Sequence, residues 1–167
     1  DMDKYVEIPR GLILKDNNKP KKRKFYKLQE DQFVMVTVGY SLECFLPKKF
    51  LMPIGKMLKR NPNFVWICIG TPKIRQIEAF FPELIKNKQI RMISCDYNLP
   101  SLYEVADVYL NPPRKGGGTG LAQAMYSGLP IAMNFFPSSD GVMWLGKENV
   151  IPGDVEDLVT YIEALSN

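Results

Sequence analysis

The stretch Asp107-Val108-Tyr109-Leu110-Asn111-Pro112-Pro113-Arg114-Lys115-Gly116-Gly117-Gly118-Thr119-Gly120 decides how the chain is read. It begins as a short apolar strand, Asp107 to Leu110, then passes through two prolines and two cations into a run of glycines. A helix of small residues, about Thr119 to Ser127, follows. Gly128 stands where a helix-ending glycine belongs, and Pro130 bars continuation. Pro130-Ile131-Ala132-Met133 then reads as the next strand. Strand, helix and strand at this spacing form a βαβ unit, and such units build parallel sheets.

The same alternation extends in both directions. Phe33-Val34-Met35-Val36-Thr37-Val38 and Phe64-Val65-Trp66-Ile67-Cys68-Ile69 are continuous apolar runs closed by Gly39 and Gly70. Such runs suit strands buried on both faces. Phe50, Leu51, Ile54, Met57 and Leu58 fall at helical spacing, with Pro53 obscuring where that helix starts. Ile74, Ile77, Phe81 and Leu84 mark a second helix, which Pro82 should kink or shorten. Ile90 to Ile93 is a third strand, and Ser101 to Ala106 a short helix. Asn149 to Ile151 is a candidate sixth strand. Asp154 can cap a last helix with Val155, Leu158, Val159, Ile162 and Leu165 facing inward. The expected fold is α/β: a doubly wound, Rossmann-like parallel sheet of about six strands with helices on both faces. Residues 1–31 are polar and basic and read as a lead-in or interdomain connector, with a short strand around Tyr5 to Ile8. Residues 32–167 read as the folded domain.

Composition narrows the chemistry. The chain has 167 residues, of which 46% are hydrophobic and 24% charged, the values of one globular domain. Histidine is absent. A Ser-His-Asp triad, a Cys-His dyad and a His-ligated zinc site are therefore excluded. Cys44, Cys68 and Cys95 are scattered and read as reduced thiols of a cytosolic protein, with Cys68 in the core. The net charge of +4 is concentrated in Lys19, Lys21, Lys22, Arg23, Lys24 and Lys27. That run reads as a solvated loop, and no nucleic-acid partner is expected, since no basic face with interleaved aromatics follows it. No apolar run approaches the roughly 20 residues of a spanning helix. The N-terminus has no secretory h-region. A chain that begins at Asp1 and not at Met reads as a piece of something longer.

Ligands of doubly wound sheets sit beyond the carboxyl ends of the strands. The loops there are Gly39-Tyr40-Ser41, Gly70-Thr71, Ser94-Cys95-Asp96-Tyr97, and Pro112 through Gly120. In the last, glycines leave backbone N–H groups open at a helix N-terminus, which carries partial positive charge. Arg114 and Lys115 add full charges. Together they suit a phosphate or diphosphate. No Lys-Ser/Thr pair follows the glycines, so this is not a Walker A loop. No GxGxxG follows the first strand, which argues against the dinucleotide fingerprint.

At this loop the sequence resembles the C-terminal, nucleotide-sugar-binding domain of GT-B glycosyltransferases of the large retaining group known as glycosyl transferases group 1, or family 4. The resemblance is carried by Ala106 to Pro112, Arg114 to Gly118, and Gln123-Ala124-Met125-Tyr126-Ser127-Gly128-Leu129-Pro130-Ile131. The element order from Phe33 to Leu165, about four-fifths of the chain, also fits. The chain would then be one half of a GT-B architecture, with the N-terminal acceptor domain outside it. There are departures. Lys115 and Gln123 stand where the family pattern places two glutamates. Tyr40 stands where the first-strand loop usually carries an arginine for the diphosphate, with Lys48 or Lys49 as loosely spaced substitutes.

The resemblance implies metal-independent transfer of a sugar from a nucleoside diphosphate sugar, a UDP-sugar favoured, to a glycan or glycoconjugate acceptor. No cofactor beyond that donor is implied. Lys115 would take the catalytic role, stabilising charge on the leaving diphosphate. Gly39, Tyr40, Ser41, Arg114, Gly116, Gly117, Gly118, Thr119, Gly120 and Gln123 would hold the nucleotide sugar, and Cys95, Asp96, Tyr97 and Leu99 would face its base. Asp140 falls in a Ser-Ser-Asp-Gly turn that borders the donor in family members. Asp1-Met2-Asp3 matches the metal motif of the other glycosyltransferase fold, but no strand precedes it. The expected setting is cytoplasmic, with peripheral contact at the inner face of a membrane left open. The alternative is a non-catalytic GT-B-like partner subunit that binds a nucleotide weakly or only a sister protein. Another enzyme of the same fold, such as a nucleotide-sugar epimerase, comes third.

Overall fold

The computed structural model describes residues 23–95, 98–137 and 139–167. The strand expected around Tyr5 to Ile8, the Asp1-Met2-Asp3 motif, Lys19, Lys21 and Lys22 lie outside them. Five strands form one sheet: β1 (Phe33–Val38), β2 (Phe64–Ile69), β3 (Ile90–Ile93), β4 (Val108–Leu110) and β5 (Ile131–Ala132). Their order is β3-β2-β1-β4-β5, and all neighbours are parallel. The sixth strand reduces to a single parallel bridge between Asn134 and Ile151.

Strand alternation sorts the core into two layers. Phe33 and Met35 of β1 join Phe64, Trp66 and Cys68 of β2 under α1 (Lys48–Arg60), α2 (Arg75–Phe80), α3 (Pro82–Lys86) and α7 (Val155–Leu165). Val34, Val36, Val65, Ile67 and Ile69 face the other way, under α4 (Leu99–Val105) and α5 (Gly118–Tyr126). Burial on both faces is why β1 and β2 lack a polar side. One polar relay crosses the sheet: Trp66 Nε1 donates to Thr37 Oγ1 at 2.9 Å, and Thr37 Oγ1 donates to the Leu110 carbonyl at 2.6 Å. Every member has a partner, so the relay ties β2, β1 and β4 together without an orphaned group. Burial pushes the Cys68 thiol well above its ordinary pKa.

Several expectations are corrected. Pro53 lies inside α1, five residues from its start, where it removes one hydrogen bond next to the first turn. The helix expected over Ile74 to Leu84 is two helices, because Pro82 begins α3 at its first position and Phe81 breaks the chain direction between them. The Ser-Ser-Asp-Gly turn starts a helix, α6 (Asp140–Leu145), whose cap Ser139 accepts a hydrogen bond from the Gly141 N–H at 3.1 Å. Leu165 at the end of α7 is exposed, not inward. The caps of α5 and α7 are as expected. Gly128 has φ 73°, and Asp154 and Asp157 form a reciprocal capping box.

The described end of the lead-in is docked on the amino edge of the sheet. Leu28 is buried in the second layer. Arg23 reaches both carboxylate oxygens of Asp107 at 3.0 Å, and Asp107 also accepts from the Val34 N–H at 2.6 Å. Arg91 Nη1 donates to the Tyr26 carbonyl at 2.6 Å. Arg23 is thus a structural anchor, unlike the solvated charge expected of that run.

Candidate functional site

Successive strands run outward from β1 through β2 to β3, and then the chain returns to the other side of β1 for β4 and β5. The crevice at that reversal opens between the loops after β1 and β4, where open α/β sheets bind ligands. A cavity of about 580 Å³ lies there. Val38, Gly39 and Tyr40 form one wall, and Arg114 through Gly120 another. Ile69, Gly70, Ser94, Cys95 and Leu99 close a third side, and Gln123 and Asp140 also line it.

The floor is built around Arg114, which is only 3% exposed. Its Nη2 donates to the Val38 carbonyl at 2.7 Å and to Tyr109 Oη at 3.4 Å. Tyr109 Oη in turn donates to the Val38 carbonyl at 3.3 Å. Burial pushes the pKa of the Tyr109 phenol up, and likewise that of Tyr103, whose hydroxyl donates to the Gly120 carbonyl at 3.1 Å. Both phenols therefore keep their protons and serve as donors. Arg114 Nε is buried with no partner, and no carboxylate pairs with the guanidinium among the described residues.

Glycines make room for that guanidinium. A Cβ on Gly39 would collide with Arg114 Nη1, and one on Gly117 would stand 2.5 Å from Arg114 Nε. Gly117 also has φ 84°, which an L side chain resists, and it is the N-cap of α5. Directly after it, the first N–H groups of α5 have no intrahelical partner. Lys115 is exposed on the cavity wall beside them. A buried guanidinium, an ammonium and a helix N-terminus converge on one concave space, which gives it positive potential suited to an anion.

The structure brings together Gly39, Tyr40, Cys95, Leu99, Arg114, Lys115, Gly116, Gly117, Gly118, Thr119, Gly120 and Gln123. Asp96 and Tyr97 lie outside the described residues. Ser41 does not line the cavity; with φ 58° it turns the chain into a 3-10 turn at Leu42–Phe45. Lys48 does not substitute for a loop arginine, because its Nζ lies 5.5 Å from the Phe80 ring centroid, away from the cavity. Phe45 lines the cavity and sequence reasoning missed it; its only signal is its place just after the first-strand loop. Among the described residues no group of three or more Cys, Asp or Glu is placed to hold a metal ion. No helix among them is long and apolar enough to cross a membrane.

No family model and no curated protein matches the sequence. Solved structures do. WaaG, a glycosyltransferase involved in lipopolysaccharide biosynthesis, is 21% identical with a TM-score of 0.68, over 87% of this chain and 41% of its own. Anabaena Alr3699/HepE, solved in complex with UDP, is 16% identical with a TM-score of 0.60, over 85% and 41%. The UDP-GlcNAc 2-epimerase of Methanocaldococcus jannaschii is 18% identical with a TM-score of 0.56, over 87% and 42%. The chain spans about two-fifths of the length of these structures. Its fold is that of the C-terminal domain of GT-B glycosyltransferases. The epimerase has the same fold, so the fold by itself does not select the reaction.

Proposed function

We propose that this domain binds the donor of a glycosyltransferase that moves a sugar from a nucleoside diphosphate sugar, a UDP-sugar favoured, to a glycan or glycoconjugate. The observation that carries the reading is Arg114: a buried guanidinium at the floor of the switch-point cavity, with a free Nε and no carboxylate partner among the described residues. Burying a charge without a counter-charge is costly, and an anionic ligand offsets that cost. A donor of this class supplies a diphosphate, whose negative charge suits both the guanidinium and the adjoining helix N-terminus.

In this reading the amides at the start of α5 and the Lys115 ammonium hold the phosphate that departs with the nucleotide. Negative charge grows there as the bond to the sugar breaks, and fixed donors stabilise it without reorganising. Gln123 hydrogen-bonds the ribose as a neutral amide. Tyr40 and Leu99 pack against the rest of the donor. The acceptor is bound by a partner domain outside this chain, so the domain alone binds nucleotide and transfers little. Transfer with retention, independence of a metal ion, and a cytoplasmic setting complete the proposal.

Lys115 and Gln123 in place of glutamates favour a second reading, a non-catalytic partner subunit. Calorimetric titration with UDP, GDP and ADP separates the two. Binding of at least one diphosphate at millimolar affinity or better supports the donor reading, and no binding favours the partner. Lys115→Ala should weaken the diphosphate about tenfold, or ~1.4 kcal/mol, and barely change the matching nucleoside. Equal losses for both would remove Lys115 from the phosphate.

A further inference from the structure

Asp140 brings a negative charge to a site otherwise built to hold an anion. Its carboxylate lines the same cavity as Arg114 and Lys115. A Cβ placed on Gly118 would lie 3.1 Å from Asp140 Oδ2, and one placed on Gly116 would lie 3.9 Å away. The carboxylate therefore overlies the turn into α5. Its backbone is fixed there, because Asp140 is the first residue of α6 and Ser139 caps that helix. Among the described residues it forms no ion pair, with Lys115 or any other cation. That the cavity takes a ligand is indicated independently by the buried, unpartnered Arg114 Nε.

Resting on the reading of this cavity as a nucleoside diphosphate sugar site, we propose that Asp140 determines what the outer phosphate may carry. Its carboxylate accepts hydrogen bonds from the hydroxyls of an attached sugar and repels the additional charge of an unsubstituted outer phosphate. A phosphate ester with a free end ionises a second time near pH 6, so a free nucleoside diphosphate carries one more negative charge than its sugar conjugate at neutral pH. Arg114, Lys115 and the α5 amides attract both ligands. Asp140 is the group whose sign separates them. Two unit charges about 5 Å apart in a partly screened pocket repel strongly enough to change affinity by an order of magnitude. The device favours the loaded donor and releases the spent diphosphate.

The test compares the intact chain with Asp140→Asn, which removes the charge and keeps the size. Each is titrated with UDP, GDP and ADP and with UDP-glucose, GDP-mannose and ADP-glucose. For the nucleotide that binds, the asparagine variant should hold the free diphosphate about tenfold more tightly, with the sugar conjugate unchanged or weaker. Asp140→Glu should keep the wild-type preference. Should the asparagine variant fail to fold, the wild-type preference for the conjugate should shrink as ionic strength rises, because salt screens the repulsion. A ratio of affinities unchanged by Asp140→Asn, a glutamate variant that behaves like asparagine, or a preference insensitive to salt overturns the proposal. If the wild-type chain binds none of the six compounds, the donor reading falls first and this inference with it. If it binds them and only the ratio fails to move, the donor reading stands and the role of Asp140 does not.

Discussion

Arg114 shows how a single residue can differ from its own composition. Arginine is almost never fully buried unless paired, so the expectation that Arg114 holds a phosphate does not by itself predict that it is only 3% exposed. The structure puts it under the loop, between Gly39 and Gly117, and leaves Lys115 outside. The usable signal was the pair of glycines, which mark places where something approaches the backbone closely. What approaches is the chain's own guanidinium, and a sequence does not say that. Gly117→Ala would strain a left-handed backbone position and push a methyl group into Arg114 Nε. It should cost about 1–3 kcal/mol in urea denaturation and weaken diphosphate binding as well. A variant with wild-type stability and binding would show that the guanidinium does not lie against Gly117.

At the scale of elements, β1, β2 and α1 were legible because burial on both faces, or on one helical face, leaves a continuous or periodic apolar pattern. Elements governed by a single residue were not. Pro82 is compatible with a kinked helix or with the first position of a new one, and packing of Phe81 against the core selects the second. Ser139 is compatible with a turn or a cap, and only the helix that follows decides. A surface contact between elements was also invisible. Arg60 of α1 donates to both carboxylate oxygens of Glu163 on α7 at 2.8 Å, and Asn61 adds a third bond at 2.8 Å. The hydrogen bond from Arg60 is the main cause that holds the Glu163 carboxyl below its ordinary pKa. A lowered carboxylate pKa stabilises the fold at pH above the unfolded value, near 4.3. That contribution fades as pH falls through the lower folded value. Glu163→Gln should therefore lose about 0.5–1 kcal/mol at pH 7, typical of a half-exposed bidentate pair, and the difference from wild type should shrink steadily as pH falls below about 4. Denaturant titrations at pH 7 and at successively lower pH measure it. A difference that does not shrink with acidity would mean that packing, not charge, is involved.

For the whole molecule, the order β3-β2-β1-β4-β5 turns local patterns into a site. The glycine-rich turn after β4 faces the loop after β1 only because the chain returns past β1 to lay down β4. From the sequence, the turn and the first-strand loop could each be recognised as a candidate, and the doubly wound topology put both at the carboxyl rim of the sheet. The side of the crevice on which each cation sits came from the structure alone; the resemblance had put Asp140 at the border of the site, and the structure added that its carboxylate overlies the turn into α5. The central claim is that a diphosphate rests between these two loops. It is tested most directly by recording backbone amide NMR spectra of the chain while UDP, GDP or ADP is added. The largest shifts should fall on Gly116 to Gly120 and on Gly39 and Tyr40, with little change at Leu28 and Asp107 on the opposite rim. Shifts concentrated on that opposite rim, or none with any of the three, would contradict it.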